Sequence, residues 1–183
     1  INDNRSDRVT NEACHILYGR DYYREQIMGL EFQVSAFSFF QTNVAAVERL
    51  YTEALSMIDD IEGKTVFDLY CGTGTITQAL ALKAKKAVGV EIVEDAVEAA
   101  RENAKLNELD NCEFIAGDVL QVLDTLADKP DVIVVDPPRA GINYKALPKI
   151  LKYGVDQILY ISCNPKTLVE NLRVMEERGS GIG

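Results

Sequence analysis

The stretch Val66-Phe67-Asp68-Leu69-Tyr70-Cys71-Gly72-Thr73-Gly74-Thr75 constrains this chain more than any other. Val66, Phe67, Leu69 and Tyr70 predict a buried strand, and the Gly-Thr-Gly predicts a tight turn into a helix over 76–84. Glycine permits φ > 0 and lets a ligand approach the backbone, while a helix start offers unpaired N–H groups. A second apolar strand, 87–90, ends in Glu91, which follows Gly72 by 19 residues. An acid about 20 residues beyond a glycine turn can accept hydrogen bonds from both ribose hydroxyls of an adenosine.

A dinucleotide fingerprint places a third glycine at position 77, where this chain has Thr77. That substitution weakens the pyrophosphate reading. An uncharged or cationic nucleoside such as S-adenosylmethionine fits as well or better. A glycine turn joining any strand to any helix would account for Gly-x-Gly alone. Asp68 before the turn and Glu91 after it add to the signal, and two later motifs strengthen it further.

From residue 64 onward strands and helices alternate. Strands are expected over 65–70, 87–91, 113–116, 132–136 and 157–162, and helices over 75–84, 93–107, 119–127, 143–153 and 165–177. Such alternation implies right-handed crossovers, a parallel sheet and a ligand at the carboxyl ends of its strands. Glu94, Asp95 and Glu98 suit the dipole of the 93–107 helix and receive no chemical role.

Ahead of this lie a polar lead-in over 1–10 and short β-favouring runs at 16–18, 22–23 and 32–34, punctuated by Gly19 and Gly29. They predict a small strand-and-turn appendage over 1–40, with a domain over 41–183. Arg5, Arg8, Arg20 and Arg24 make the appendage the least acidic part, and singly each reads as a solvated arginine. Thr42 or Asn43 is expected to cap a helix whose apolar face is Val44, Val47, Leu50, Tyr51, Ala54, Leu55 and Ile58. The three phenylalanines at 37, 39 and 40 read as core.

At 183 residues and 47% apolar composition, the chain can bury a sizeable core. Its net charge of −10 argues against a general nucleic-acid binder acting alone, although a partner domain could hold RNA. No apolar run reaches the 18 or so residues of a membrane span. Cys14, Cys71, Cys112 and Cys163 are scattered without a Cys-x-x-Cys pair, so neither a zinc site nor a disulfide framework is expected. A reducing cytoplasm follows as the expected location. Ile1 at the start and Gly179-Ser180-Gly181-Ile182-Gly183 at the end suggest a segment of something longer.

Two motifs carry chemistry. Asp136-Pro137-Pro138-Arg139 closes the fourth strand of the alternating part, and two prolines make a rigid loop beside a carboxylate. Such a loop can hold a planar base or a polar group in fixed register. Ser162-Cys163-Asn164-Pro165 closes the fifth, putting a thiol at the carboxyl edge, just before a proline-initiated helix whose field favours the thiolate. Cys14 and Cys112 read as inert core and Cys71 as a small packing residue in the glycine turn.

Asp-Leu-Tyr-Cys-Gly-Thr-Gly, Val-Asp-Pro-Pro-Arg and Ile-Ser-Cys-Asn-Pro, in this order, resemble the RNA uracil-C5 methyltransferase family, whose members modify 23S ribosomal RNA or the T-loop of tRNA. Ser-Phe-Phe-Gln-Thr-Asn is similar to that family's lead into its catalytic domain, and the likeness runs over about 18–172. The resemblance implies a Rossmann-like, class I S-adenosylmethionine-dependent methyltransferase fold of the α/β class. It implies that Gln41, Tyr70, Glu91 and Asp136 contact the methyl donor, with Glu91 on the ribose. It places Gly72 and Gly74 beneath the methionine part, Asp118 near the adenine, and the nucleophile at Cys163. No metal is implied. The chemistry is physically sensible: thiolate attack on C6 makes C5 of uracil a nucleophile for the methyl group, and loss of the C5 proton releases the enzyme. The base must leave its stack to reach such a pocket.

The family's catalytic carboxylate lies downstream of the Ser-Cys-Asn-Pro helix, and its RNA-binding barrel lies upstream. The fold is therefore expected to be C-terminally incomplete here, with the RNA-binding domain and general base outside this chain and turnover in doubt. Two further readings stand beside this one: an amino-group methyltransferase of adenine or guanine, which uses Asp-Pro-Pro without a cysteine, and a non-catalytic cofactor- or RNA-binding domain. A nicotinamide dehydrogenase is a distant fourth.

Overall fold

The computed structural model describes residues 18–35, 40–41 and 43–177. A hairpin of β1 (Tyr22–Ile27) and β2 (Leu30–Ser35) comes first, then α1 (Val44–Ser56). Five parallel strands follow, β3 (Thr65–Leu69), β4 (Lys86–Glu91), β5 (Cys112–Ala116), β6 (Val132–Val135) and β7 (Gln157–Tyr160). Between and after them come α2 (Thr75–Ala81), α3 (Glu94–Leu106), α4 (Val119–Val122), α5 (Leu147–Lys152) and α6 (Pro165–Glu177). The sheet runs β5-β4-β3-β6-β7, so the order reverses between β3 and β6. Open α/β sheets bind ligands at that reversal, outside the carboxyl ends of the strands. This is the expected doubly wound fold with a small β appendage.

Strand alternation sorts the core into two faces. Val66, Val132 and Val134 face α1, α2 and the hairpin, where Phe32 and Ile27 are fully buried. Phe67, Leu69, Ile133 and Val135 face the other way, onto Leu147 and Ile150 of α5. The hairpin turns on Met28 and Gly29 with φ of 52° and 79°, both left-handed as a tight two-residue hairpin requires. Its outer ladder is completed by the side chains of Asn103 in α3 and of Asn107, the residue that caps the end of that helix. Asn103 Oδ1 accepts from the Gln33 N–H at 2.8 Å, and Asn107 Oδ1 accepts from the Glu31 N–H at 2.9 Å. The two carboxamides donate back to the carbonyls of Gln33 and Glu31.

Several boundaries move for local reasons. Tyr70 leaves its strand because φ there is +71°. The 119–127 helix shrinks to α4, where distant side chains take its carbonyls: Lys149 Nζ donates to Leu120 O and the Tyr153 hydroxyl to Leu123 O. The 143–153 helix begins at Leu147, since Pro148 lacks an N–H and fits only the first turn. Asn43 caps α1, its Oδ1 accepting from Ala46 N–H at 3.1 Å. Thr42, Cys14, Phe37, Phe39, Arg5, Arg8 and the Ile16-Leu17 run lie outside the described residues.

Candidate functional site

Strand register brings the expected site residues to one rim. Leu69 pairs with both Val90 and Val135, and Val135 pairs with Tyr160. One residue further on, Glu91, Tyr70, Asp136 and Ile161 therefore stand level, with Ala116 beside Glu91. Asp118 and Cys163 lie two residues beyond that row. Gln41 reaches the same rim from the segment before α1, in hydrogen-bonding reach of the Tyr51 hydroxyl, which the charges of Asp136 and Asp68 also influence. Cys163 stands apart from the rest, two strands from Tyr70 and so about 10 Å across the sheet.

The glycine turn and Glu91 are built as one unit. The Gly72 N–H donates to Glu91 Oε2 at 3.0 Å, and the Val93 N–H donates to Oε1 at 2.9 Å. Each carboxylate oxygen retains acceptor capacity for an outside hydroxyl. Gly72 has φ +53°, and a Cβ there would meet nothing within 4 Å. Gly74 is the opposite case: at φ +77°, its Cβ would fall 2.6 Å from the Phe114 ring and 2.9 Å from Ala100. One glycine opens space for a ligand and the other lets the turn sit on the core.

Asp68, one residue before Leu69, is fully buried beneath this turn. Its Oδ2 accepts from the Thr77 hydroxyl at 2.6 Å, while Oδ1 has no partner among the described residues. Burial, with smaller contributions from Asp136 and Glu91, raises its pKa to about 7. Asp136 is half-buried just past β6, and burial raises its pKa to about 6. Tyr70 is pushed up to about 12 by burial, then by Asp118 and Tyr160. Asp118 caps α4, its Oδ1 accepting from Leu120 N–H at 2.9 Å. The rim and the turn above Asp68 thus gather four carboxyl groups, and none of the ion pairs among the described residues involves them. An orphaned buried carboxyl oxygen, a free face above Gly72 and uncompensated acids suit a cationic nucleoside better than an anionic pyrophosphate.

Cys163 is exposed in the turn that enters α6. Asn164 accepts from the Lys166 N–H at 3.2 Å, and its Nδ2 donates to Arg139 O at 2.9 Å. The helix behind the thiol is thereby tied to the Asp-Pro-Pro-Arg loop. Cys71 is buried, with its thiol pKa pushed well above the usual value, and Cys112 is raised to about 12, both chiefly by burial. Neither is poised as a nucleophile. Cys163 is the exposed thiol among the described residues.

Thr77 and Tyr51 escaped sequence reasoning. Thr77 registered only as a missing glycine, yet its hydroxyl holds Asp68. Gly89 on β4 makes room for it, since a Cβ there would come 2.9 Å from Thr77 Oγ1 and 2.8 Å from Cys71 Sγ. Tyr51 was one of a helical apolar stripe; a polar tip in such a stripe was the available signal. Among the described residues no three of His, Cys, Asp and Glu gather as a metal site, and no helix is long and apolar enough to cross a membrane.

Comparisons with known proteins bear on the family and the fold. The sequence model of a family described as "Methyltransferase domain" matches residues 60–181. A Clostridium tetani protein named as an uncharacterized RNA methyltransferase is 55% identical over 179 residues, 98% of this chain and 39% of that protein. A namesake from Clostridium acetobutylicum is 50% identical over 179 residues, again 98% of this chain and 39% of its own length. The chain thus spans about two fifths of the length of these curated relatives. The crystal structure of Pyrococcus abyssi tRNA (uracil-54, C5)-methyltransferase with S-adenosyl-L-homocysteine superposes at a TM-score of 0.76 and 29% identity, covering 86% of this chain and 38% of that one.

Proposed function

The chain belongs to the methyltransferase domain family, and from that premise we propose that it methylates C5 of a uridine in RNA through a covalent adduct on Cys163. The carrying observation is the exposed Cys163 thiol on the rim shared by Asp136, Tyr70 and Glu91, with its helix tied to the Asp-Pro-Pro-Arg loop. The RNA methyltransferase names of the clostridial relatives support the substrate class, and the Pyrococcus neighbour supports the target atom. We favour 23S ribosomal RNA, with tRNA the second candidate.

S-adenosylmethionine supplies an electrophilic methyl group when bound. Gln41, Tyr70, Gly72, Gly74, Glu91, Asp118 and Asp136 would hold it. Glu91, already oriented by two backbone N–H groups, accepts from the ribose hydroxyls. Asp68 and Asp136 attract its positive charge. Cys163 Sγ adds to C6 of the uracil, which concentrates electron density at C5; once C5 carries the methyl group, a base takes the C5 proton, and the electron pair released re-forms the C5–C6 double bond as Sγ leaves.

The raised acids give this reading a pH signature. In the folded chain Asp68 and Asp136 keep protons that the unfolded chain releases above about pH 4. The stability they confer is full below that value and is lost as pH rises through about 6 and 7. A cationic donor needs them ionised. Its affinity should therefore rise between pH 5 and 8 while the melting temperature of the free chain falls through the same window. Asp136→Asn should flatten the affinity slope. Calorimetric titration in two buffers of different ionisation enthalpy would also show proton release on binding. A dissociation constant independent of pH over that range would remove both acids from the donor site.

The test of the target is a trap. RNA containing 5-fluorouridine, mixed with the intact protein and S-adenosylmethionine, should yield a covalent protein–RNA band, because fluorine cannot leave as a proton does. Peptide mapping should place the adduct on Cys163. Methyl transfer to ordinary RNA with no trapped band on the fluorinated one would reject C5 chemistry.

A further inference from the structure

Asn171 lies on α6, buried to 9% exposure, and every polar atom of its carboxamide is in use. Oδ1 accepts from the Ile142 N–H at 2.8 Å and from the Tyr160 hydroxyl at 2.9 Å, and Nδ2 donates to Ile142 O at 3.2 Å. The side chain thus pairs with both backbone groups of Ile142 as a neighbouring strand would. Ile142 closes the loop that begins at Asp136. The other grip on that loop is nearer Cys163, where Asn164 Nδ2 and Thr167 Oγ1 both donate to Arg139 O, at 2.9 and 3.2 Å. Gly141, between the two grips, has φ +78°, and a Cβ there would come 2.8 Å from Asn171 Oδ1 and 3.1 Å from Thr167 Cβ. The loop lies on the helix as closely as a backbone can.

One helix therefore carries the thiol in its entry turn and clamps the Asp-Pro-Pro-Arg loop at two points. Tyr160, at the end of β7, joins the clamp through the same oxygen. Its hydroxyl, raised chiefly by burial, lies within electrostatic influence of Cys163 and Asp136. We propose that Asn171 is a positioning residue: its carboxamide, braced by Tyr160, sets the register of the 139–142 loop against Cys163, so that loop and thiol form one wall of the substrate pocket. The effect on rate rests on the uridine reading above, while the effect on the thiol's surroundings does not. A buried asparagine that merely satisfies a loop would lower stability and leave both alone.

The experiment uses the intact protein, each variant held about 10 °C below its own melting temperature. Asn171→Ala should lower kcat by about 100-fold, the scale of an ångström-sized misplacement, with KM for RNA and donor affinity changed less than about threefold. Alkylation of Cys163 by iodoacetamide, followed by mass spectrometry of its peptide, should change in rate by about fivefold or more, since access governs thiol reactivity. Asn171→Asp, which keeps an oxygen for Ile142 N–H and the Tyr160 hydroxyl, should recover kcat to within about tenfold of the parent. An unchanged kcat or an unchanged alkylation rate in Asn171→Ala overturns the inference, and so does an Asp variant as slow as the Ala variant. Should Asn171→Ala fail to fold, Tyr160→Phe carries the test: it removes one donor from Asn171, and equal kcat and alkylation in that variant would be equally decisive. Absence of a 5-fluorouridine adduct in the parent protein rejects the uridine reading, and the alkylation rates then judge the clamp alone.

Discussion

Cys163→Ala is expected to cut methyl transfer by about 10⁴-fold or more, the scale of loss when a covalent nucleophile is deleted. Donor affinity should stay within about twofold, because the residue stands two strands from Gly72 and three from Glu91, about 10 and 14 Å across the sheet. Radiolabelled methyl incorporation and calorimetric donor binding, measured on the same preparation, separate the two effects. No other described thiol can substitute. Cys71 and Cys112 are held by burial in the protonated form, and a thiol is a far weaker nucleophile than a thiolate. A variant that kept the parent rate would move the reading to amino-group methylation, where an Asp-Pro-Pro loop suffices without sulfur.

Gly74→Ala should be the most damaging small substitution in the turn. The left-handed backbone at φ +77° costs about 1–2 kcal/mol with any side chain. The added methyl would lie 2.6 Å from the Phe114 ring and 2.9 Å from Ala100, and overpacking of a closed core costs about 1–3 kcal/mol more. A total near 3 kcal/mol lowers the melting temperature by about 6–12 °C in a chain of this size. Gly72→Ala is the informative comparison. It shares the positive φ but meets nothing within 4 Å, so its cost should fall on donor affinity more than on thermal stability. Equal melting temperatures for Gly74→Ala and the parent would show that the turn relaxes where its surroundings look rigid.

The alternation of strands and helices was legible because local patterns produced it. Val66, Phe67 and Leu69 form an apolar run on a strand covered on both faces, and the glycines that end it have no other common use. Rim residues were legible for a related reason: register brings whatever follows each strand to the same edge. What could not be read depended on partners far along the chain. The end of α4 is set by Lys149 and Tyr153, which lie 29 and 30 residues from the carbonyls they take. Thr77 could be recognised only as an absent glycine, because its value comes from Asp68 beneath it. Tyr51 has the spacing of a core residue and is one, apart from its hydroxyl, whose neighbours Gln41, Asp68 and Asp136 converge only in three dimensions. Asn171 looked like any polar residue of an amphipathic helix, since Ile142 and Tyr160 come to it from separate segments.

Asn103 and Asn107 have a consequence beyond docking the hairpin. The exposed side of a two-stranded ribbon is a template on which a strand from another molecule can grow. On β2 that template is occupied by two carboxamides one helical turn apart, so the N–H and C=O groups of Glu31 and Gln33 are no longer on offer. On the far strand, β1, Arg24 is exposed beside exposed Tyr23 and Gln26, and its charge discourages the same growth. The hairpin is thereby guarded against intermolecular aggregation on both sides, by a helix on one and by charge on the other.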